Sequence, residues 1–404
     1  MAWLAALAIF AASAAAASAQ SLDLVGSYDP GTPDLNAMAV GLDGVAYLGS
    51  WGGAANCPAL GVRVIDLHNP TSPTPIGTVA AHPGTTAEHL AAVHYATPAF
   101  NGNVLVVGIQ RCRVGSGEPG GLSLWDVTDP TNPTELGFFA TGRGSRGVHE
   151  FTVRRQGNRW LAFLAVPNSE VTEGSGDLRI LDVTDPRNPV QLVDWGAKRD
   201  AGLPVGSGTA CAPYCRGAVP EAFLHSVTLS DDAHTAYLSY WDLGVIILDV
   251  SEPSAPRWLG RYAEPDAAEG NTHSVALAQD GRLALVADET MAPPWGRLRL
   301  VDVHDPANAV QLGSFETADS AAGTPGEAYA YTIHNPLTDD RNPNRAYLAW
   351  YADGGRIVDV SDAFQPVEIA SWVPPHAGFV WSVSFMGDLV LAGDVNNGLF
   401  VLRR

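Results

Sequence analysis

The chain has 404 residues, 46% apolar composition, 42 glycines, 29 prolines and a formal net charge of −20. An acidic surface of this kind excludes nucleic acid and anionic lipid as expected partners. The apolar share supports a large core, and glycine and proline clusters at regular intervals point to many short strands joined by turns.

Residues 1–19, MAWLAALAIFAASAAAASA, carry no charge and end in Ala17-Ser18-Ala19. They read as a secretory signal peptide cleaved near Ala19, although a basic n-region is missing. An N-terminal membrane anchor is the alternative, but the run is short for a span. Residues 20–404 then form a single mature domain with no further span, expected to be a monomer that is secreted, periplasmic or on the cell surface. Export makes the four cysteines candidates for disulfides. Cys211 and Cys215 share one loop, whereas Cys57 and Cys112 fall in equivalent loops of neighbouring units. Spacing alone leaves the connectivity open.

From residue 22 onward one unit recurs. It contains a strand a with a polar residue at its mouth, a strand b such as TAYLSY (235–240), a strand c ending in Asp, and a strand d ending in an aromatic. The strand c copies run VRVIDLHNPTSP (62–73), LSLWDVTDPTNP (122–133), LRILDVTDPRNP (178–189), VIILDVSEPSAP (245–256), LRLVDVHDPANA (298–309) and GRIVDVSDAFQP (355–366). Their aspartates are Asp66, Asp126, Asp182, Asp249, Asp302 and Asp359. Pro130 and its equivalents fix φ, and Asp129 suits an Asx turn. The opening segment LDLVGSYDP (22–30) matches strand d with no strand c before it, while the closing LFVLRR (399–404) is a strand c with no strand d after it. The two complement each other, so the sequence predicts an all-β, seven-bladed β-propeller whose N-terminal strand closes the last blade.

The strand c copies resemble LVIVD repeats, found in bacterial and archaeal secreted or surface proteins. The resemblance spans about residues 22–404. It implies a propeller and assigns no chemistry, because the family has no general activity.

At the mouth of strand a the aligned residues are Asn36, His89, His149, His225, His273, His334 and Trp381. Histidine takes five of the seven positions, from only 11 histidines in the chain. In a propeller these side chains ring one mouth of the central channel. The b–c loops over the same face carry Trp51, Trp241, Asp242, Glu289, Trp350 and Tyr351, and Glu88 and Glu150 flank two of the histidines. Imidazoles and carboxylates converging on an axis suit a divalent metal ion. An architectural reading weighs more: each His could donate Nδ1–H to a carbonyl of the next blade and fix blade registry. An organic ligand is the third reading.

No P-loop, G-x-S-x-G or dinucleotide fingerprint is present. DVNNG (394–398) resembles the start of a calcium loop but fits an Asn-Gly hairpin better. The insertions 197–223 and 316–331 fall over the histidine face. Two functions follow as expectations. One is an extracellular binding or surface-interaction module, with exposed Trp51, Trp241 and Trp350, together with Asp242 and Tyr351, as contacts for a glycan, peptide or protein. The other is a metal-dependent hydrolase, lyase or oxidase built on His89, His149, His225, His273 and His334.

Overall fold

The computed structural model describes residues 20–52, 57, 59–264 and 270–404. The expected signal peptide at 1–19 lies outside the described residues. Apolar side chains alternate along each repeat as the period of a strand requires, and the units fold into seven four-stranded antiparallel blades. Blade 1 is Asn36–Leu42, Val45–Ser50, Val62–Asp66 and Thr74–Val79. Blade 2 is Leu90–Ala96, Asn101–Arg111, Gly121–Asp126 and Thr134–Ala140. Blade 3 is Phe151–Gln156, Arg159–Ala165, Leu178–Asp182 and Val190–Trp195. Blade 4 is Leu224–Leu229, Thr235–Tyr240, Gly244–Asp249 and Arg257–Tyr262. Blade 5 is Thr272–Ala278, Leu283–Asp288, Leu298–Asp302 and Val310–Phe315. Blade 6 is Pro336–Asp339, Asn342–Trp350, Gly354–Asp359 and Val367–Trp372. Blade 7 is Val380–Met386, Leu389–Asp394 and Gly398–Arg403, completed by the N-terminal strand Leu24–Tyr28 in antiparallel register with Gly398–Arg403. The expected closure is therefore present. A parallel pair, Gln20–Ser21 on Val367–Trp372, ties the N-terminus to blade 6 as well.

The repeated aspartate has a local purpose. At the end of strand c in blades 1 to 6 its Oδ1 accepts the backbone N–H two residues on: His68, Thr128, Thr184, Ser251, His304 and Ser361 donate to Asp66, Asp126, Asp182, Asp249, Asp302 and Asp359. This Asx turn starts the c–d connection. Each connection then presses on the neighbouring blade. A Cβ on Gly26, Gly137, Gly260 or Gly313 of strand d would stand 2.2, 2.5, 1.8 or 2.3 Å from the carbonyl oxygen of Pro70, Pro186, Pro306 or Ala363 in the next blade's turn. Only glycine leaves room for that backbone. The cores between blades are apolar, and each joins side chains of two adjacent sheets. A buried arginine on strand c is threaded through several blades: Arg299 pairs with Asp288 at 2.7 Å and Glu264 at 3.3 Å, and Arg179 with Glu173 and Asp194.

Blade registry around the axis is carried by hydroxyls beside the histidines. Ser226 Oγ donates to the His273 carbonyl at 2.8 Å and Ser274 Oγ to the His334 carbonyl at 2.7 Å. Ala39 N donates to Ser382 Oγ at 3.0 Å, which closes the circle from blade 7 to blade 1. Deeper in the channel Thr152 and Thr228 repeat the bond to Val227 and Val275.

The cysteines form two disulfides, Cys57–Cys112 and Cys211–Cys215. The second fastens the insertion between blades 3 and 4, which contains the short helix Ala197–Ala201 and a small hairpin, Gly206–Ser207 with Glu221–Ala222. Residues 394–398 form a turn in which Asp394 Oδ1 accepts from the backbone N–H groups of Asn396 and Asn397. No described helix is long and apolar enough to cross a membrane.

Candidate functional site

His225 and His273 are the second residues of their strands a, and His89, His149 and His334 lie just before theirs. Strand a is innermost, so these positions face the axis. Six aromatic side chains close a ring there. Successive ring centroids are 4.3 Å apart for His149–His225, 3.9 Å for His225–His273, 4.2 Å for His273–His334, 4.3 Å for His334–Trp381, 5.8 Å for Trp381–Trp51 and 6.5 Å for Trp51–His149. Blade 1 contributes Trp51 from its b–c loop, because Asn36 spends its amide on the carbonyls of Thr32 and Val395. His89 does not join. Its ring packs edge-on against Phe151 at 4.9 Å, and blade 2 supplies Glu88 and Gln110 instead.

The imidazoles share an orientation. His334 Nδ1 meets the Trp381 carbonyl at 2.6 Å. The His225 and His273 imidazoles lie against the backbone of the next blade's histidine, His273 and His334 respectively. Those carbonyls accept the Ser226 and Ser274 hydroxyls, and His225 Nδ1 and His273 Nδ1 have no hydrogen bond of normal geometry. His149 Nδ1 faces Glu88 Oε2 at 3.2 Å and Gln110 Nε2 at 2.9 Å, and Gln110 also donates to Glu88 at 2.7 Å. The Nε2 atoms are left to face one another and the inner carboxylates. His149 Nε2 and His225 Nε2 are 2.8 Å apart, and Glu289 lies 3.8 Å from His273 Nε2 and 4.0 Å from His334 Nε2. The registry role expected of the imidazoles thus belongs to serine, with His334 the one clear exception.

Two overlapping triplets bring one donor atom each within 4.8 Å of one another: Glu150, His225 and His273, and His273, Glu289 and His334. All five side chains are buried. Two nitrogens on one ion, at about 2.0–2.1 Å each and about 90–110° apart, stand about 2.9–3.4 Å from each other. The His149–His225 contact is close to that chord. Nδ1 turned to a carbonyl or carboxylate, with Nε2 inward, is the arrangement that orients metal-ligating histidines.

Burial dominates the electrostatics of the cluster. Burial drives the imidazoles of His225 and His273 well down, His334 to about 3 and His89 to about 4. Burial raises the Glu150 carboxyl to about 8 and the Glu289 carboxyl to about 7, the latter against the Tyr351 hydroxyl that donates to it. Burial also opposes charge on His149 and Glu88. Their mutual attraction prevails, so the His149 imidazole is raised and the Glu88 carboxyl lowered. The His149–Glu88 pair thus favours its charged forms, while burial disfavours charge on the other imidazoles and on Glu150 and Glu289.

The expectation of exposed aromatics in the b–c loops is overturned. Trp350 is 0% and Trp241 4% exposed, and Tyr351 and Asp242 are also buried. The insertions between blades cover them. Trp350 Nε1 donates to the Tyr331 carbonyl at 2.9 Å, and Trp241 stacks on Phe223 with centroids 5.5 Å apart. Asp242 Oδ2 accepts the backbone N–H of Arg216 and Glu221. Tyr351 stacks on Phe379 at 4.1 Å. Only Trp51, half-buried in the axial ring, keeps an exposed part. Sequence reasoning missed Gln110, whose signal is a lone amide in the apolar run VLVVGIQ, and the steering role of Glu88.

Comparison with known proteins agrees with the fold. Residues 234–264 match the LVIVD repeat family. No curated protein matches the chain. Among solved structures it is similar to a candidate 6-phosphogluconolactonase from Bacteroides uniformis, at 13% identity and a TM-score of 0.55, covering 89% of each chain. It is also similar to Raptor from Chaetomium thermophilum, at 12% identity and a TM-score of 0.59, covering 95% of this chain and 29% of that one. At these identities the likeness is one of fold. The chain is a seven-bladed β-propeller that carries the LVIVD repeat.

Proposed function

We propose that this propeller binds one transition-metal ion on the axial histidine cluster, with His149, His225, His273 and His334 as the imidazole donors. Glu150 and Glu289 are the carboxylates grouped with these imidazoles, and His89 lies outside the set. The observation that carries the reading is the common orientation of the four rings, whose Nε2 atoms face one another and Glu289 in a buried cluster. An ion at the centre would draw the imidazoles together and favour the deprotonated carboxylates. Imidazole donors suit Zn, Cu, Fe or Ni, and such an ion would supply a Lewis-acid or redox centre. A metal-dependent hydrolase, lyase or oxidase is the enzymatic form of this reading.

The two disulfides and the uncharged N-terminal run support export to an oxidising compartment. An extracellular glycan- or peptide-binding module is the weaker reading, since its contact aromatics are covered.

The test is titration of metal-free protein with Co(II) and Zn(II), followed by calorimetry and by the visible spectrum of the cobalt form. One equivalent should bind, and the His225→Ala/His273→Ala double variant should bind none while remaining folded. Equal binding by the variant would overturn the assignment.

A further inference from the structure

Glu150 faces two ways. Its carboxylate belongs to the triplet with His225 and His273, and the same side chain lines the inner end of a cavity of about 870 Å³, beside His89 and Asn335. That cavity is the central channel, and it runs from there to the face of the a–b hairpins. Glu150 is 4% exposed, with the Asn335 amide in hydrogen-bonding contact with its carboxyl. On the opposite face, among the described residues, the ring of six aromatic side chains occupies the axis. The hairpin face is therefore the wide approach to Glu150 and the histidines.

The lining narrows what fits. Four wall hydroxyls, those of Thr152, Thr228, Ser226 and Ser274, already donate to carbonyls of the neighbouring blade. Between them Met38, Leu277 and Leu337 are half-buried, and Val275 and Val383 lie beside them. The middle of the channel is thus apolar in effect. The outer end offers no free counter-charge for an ion. Asp231 is paired with Arg154 at 2.9 Å, Arg404 holds Asp339 and Asp340, and Asp232 accepts from Ser230 Oγ and His234 N. Asp280 stands in water on an exposed hairpin turn. A charged head would also lose its hydration at the buried inner end. An apolar pocket of this volume with a few convergent polar groups at one end is the form of a small-molecule site.

From this we propose that the channel binds an uncharged small molecule with an apolar body and one hydroxyl or carboxamide head, which docks on Glu150 and Asn335 beneath the histidine cluster. Only the nearness of that head to an ion rests on the metal reading; the pocket itself does not.

The probe is naphthylmethanol, compared by equilibrium dialysis with the methylnaphthalene, naphthoate and naphthylmethylammonium of the same ring position. Metal-free protein should bind one equivalent of the alcohol, and each of the other three about tenfold more weakly or worse. Glu150→Ala/Asn335→Ala should bring the alcohol down to the affinity of methylnaphthalene, with an unchanged circular dichroism spectrum. The described cysteines are all in disulfides, so a bulky maleimide can be placed on Leu277→Cys in the wall. That label should abolish binding, whereas the same label on Glu327→Cys, exposed on the opposite face, should leave it unchanged. In the cobalt form, paramagnetic relaxation should be stronger for the methylene protons of the alcohol than for its ring protons. Tighter binding of either ion than of the alcohol, equal affinity for methylnaphthalene, no binding of any of the four, or blockage by the Glu327→Cys label would overturn the proposal. Failure of the metal reading gives a different result: no cobalt is retained, and the metal-free protein still binds the alcohol.

Discussion

At the residue scale, the triplet His-Ser-Val divides its labour. Adjacent strand positions point to opposite sides. His225 and His273 therefore face the axis while Ser226 and Ser274 reach the next blade. The recurrence of histidine was legible in sequence. The choice between registry and ligand was not, because it depends on which of two neighbouring side chains takes one carbonyl. The tryptophans show the opposite limit: position in a loop was readable, but cover by a distant insertion was not. Trp350 is fully buried, so Trp350→Ala should cost about 3–5 kcal/mol in urea unfolding. A loss of binding with unchanged stability would contradict that placement. The carboxyls give a pH signature in the metal-free protein. Glu150 has a folded pKa of about 8 against 4.5 unfolded. Its stabilising contribution is full below pH 4.5 and is lost as pH rises through 8, and Glu289, at about 7, acts with the same sign. The histidines with lowered values act only below pH 6.5. Between pH 7 and 9 Glu150 alone should withdraw about 1 kcal/mol, and Glu150→Gln should flatten the slope. A stability that rises over this range would contradict the burial of these carboxyls.

At the scale of the element, the repeat is a device for joining blades. The aspartate ending strand c was visible as a motif, and its Asx turn follows from local chemistry. The glycine in strand d was equally visible in LGFF, LGRY and LGSF. Its reason was not, because the partner is the backbone of another blade. Gly260 and Gly77 separate the two effects. A Cβ at Gly260 would stand 1.8 Å from the Pro306 oxygen, and one at Gly77 meets nothing within 4 Å. Gly260→Ala should lower stability by about 1–3 kcal/mol, while Gly77→Ala should be neutral or slightly stabilising. Equal effects would show that the strand, and not the neighbouring turn, requires glycine.

At the scale of the whole molecule, seven blades and their closure were legible because head and tail each supply part of one sheet. Leu24–Tyr28 pairs with Gly398–Arg403 and covers the last free edge. Removing residues 20–29 should leave that edge open, lower the melting temperature and promote aggregation by edge pairing. Light scattering during a thermal ramp reads both effects, and an unchanged, monomeric melt would count against closure as a stabilising feature. The functional centre was only half legible. All five histidines and Glu88, Glu150 and Glu289 were in view, and their convergence followed from the propeller, but that His89 turns to Phe151 instead of joining the ring depends on packing that local patterns cannot set.

The central claim, a metal ion on the axial imidazoles, is tested most directly by X-ray absorption at the metal edge of protein purified without chelator. The account predicts a stoichiometric ion with three or four nitrogen neighbours at about 2.0–2.1 Å and the outer-shell scattering of imidazole. A shell of oxygen alone, or no stoichiometric metal after reconstitution, would contradict it.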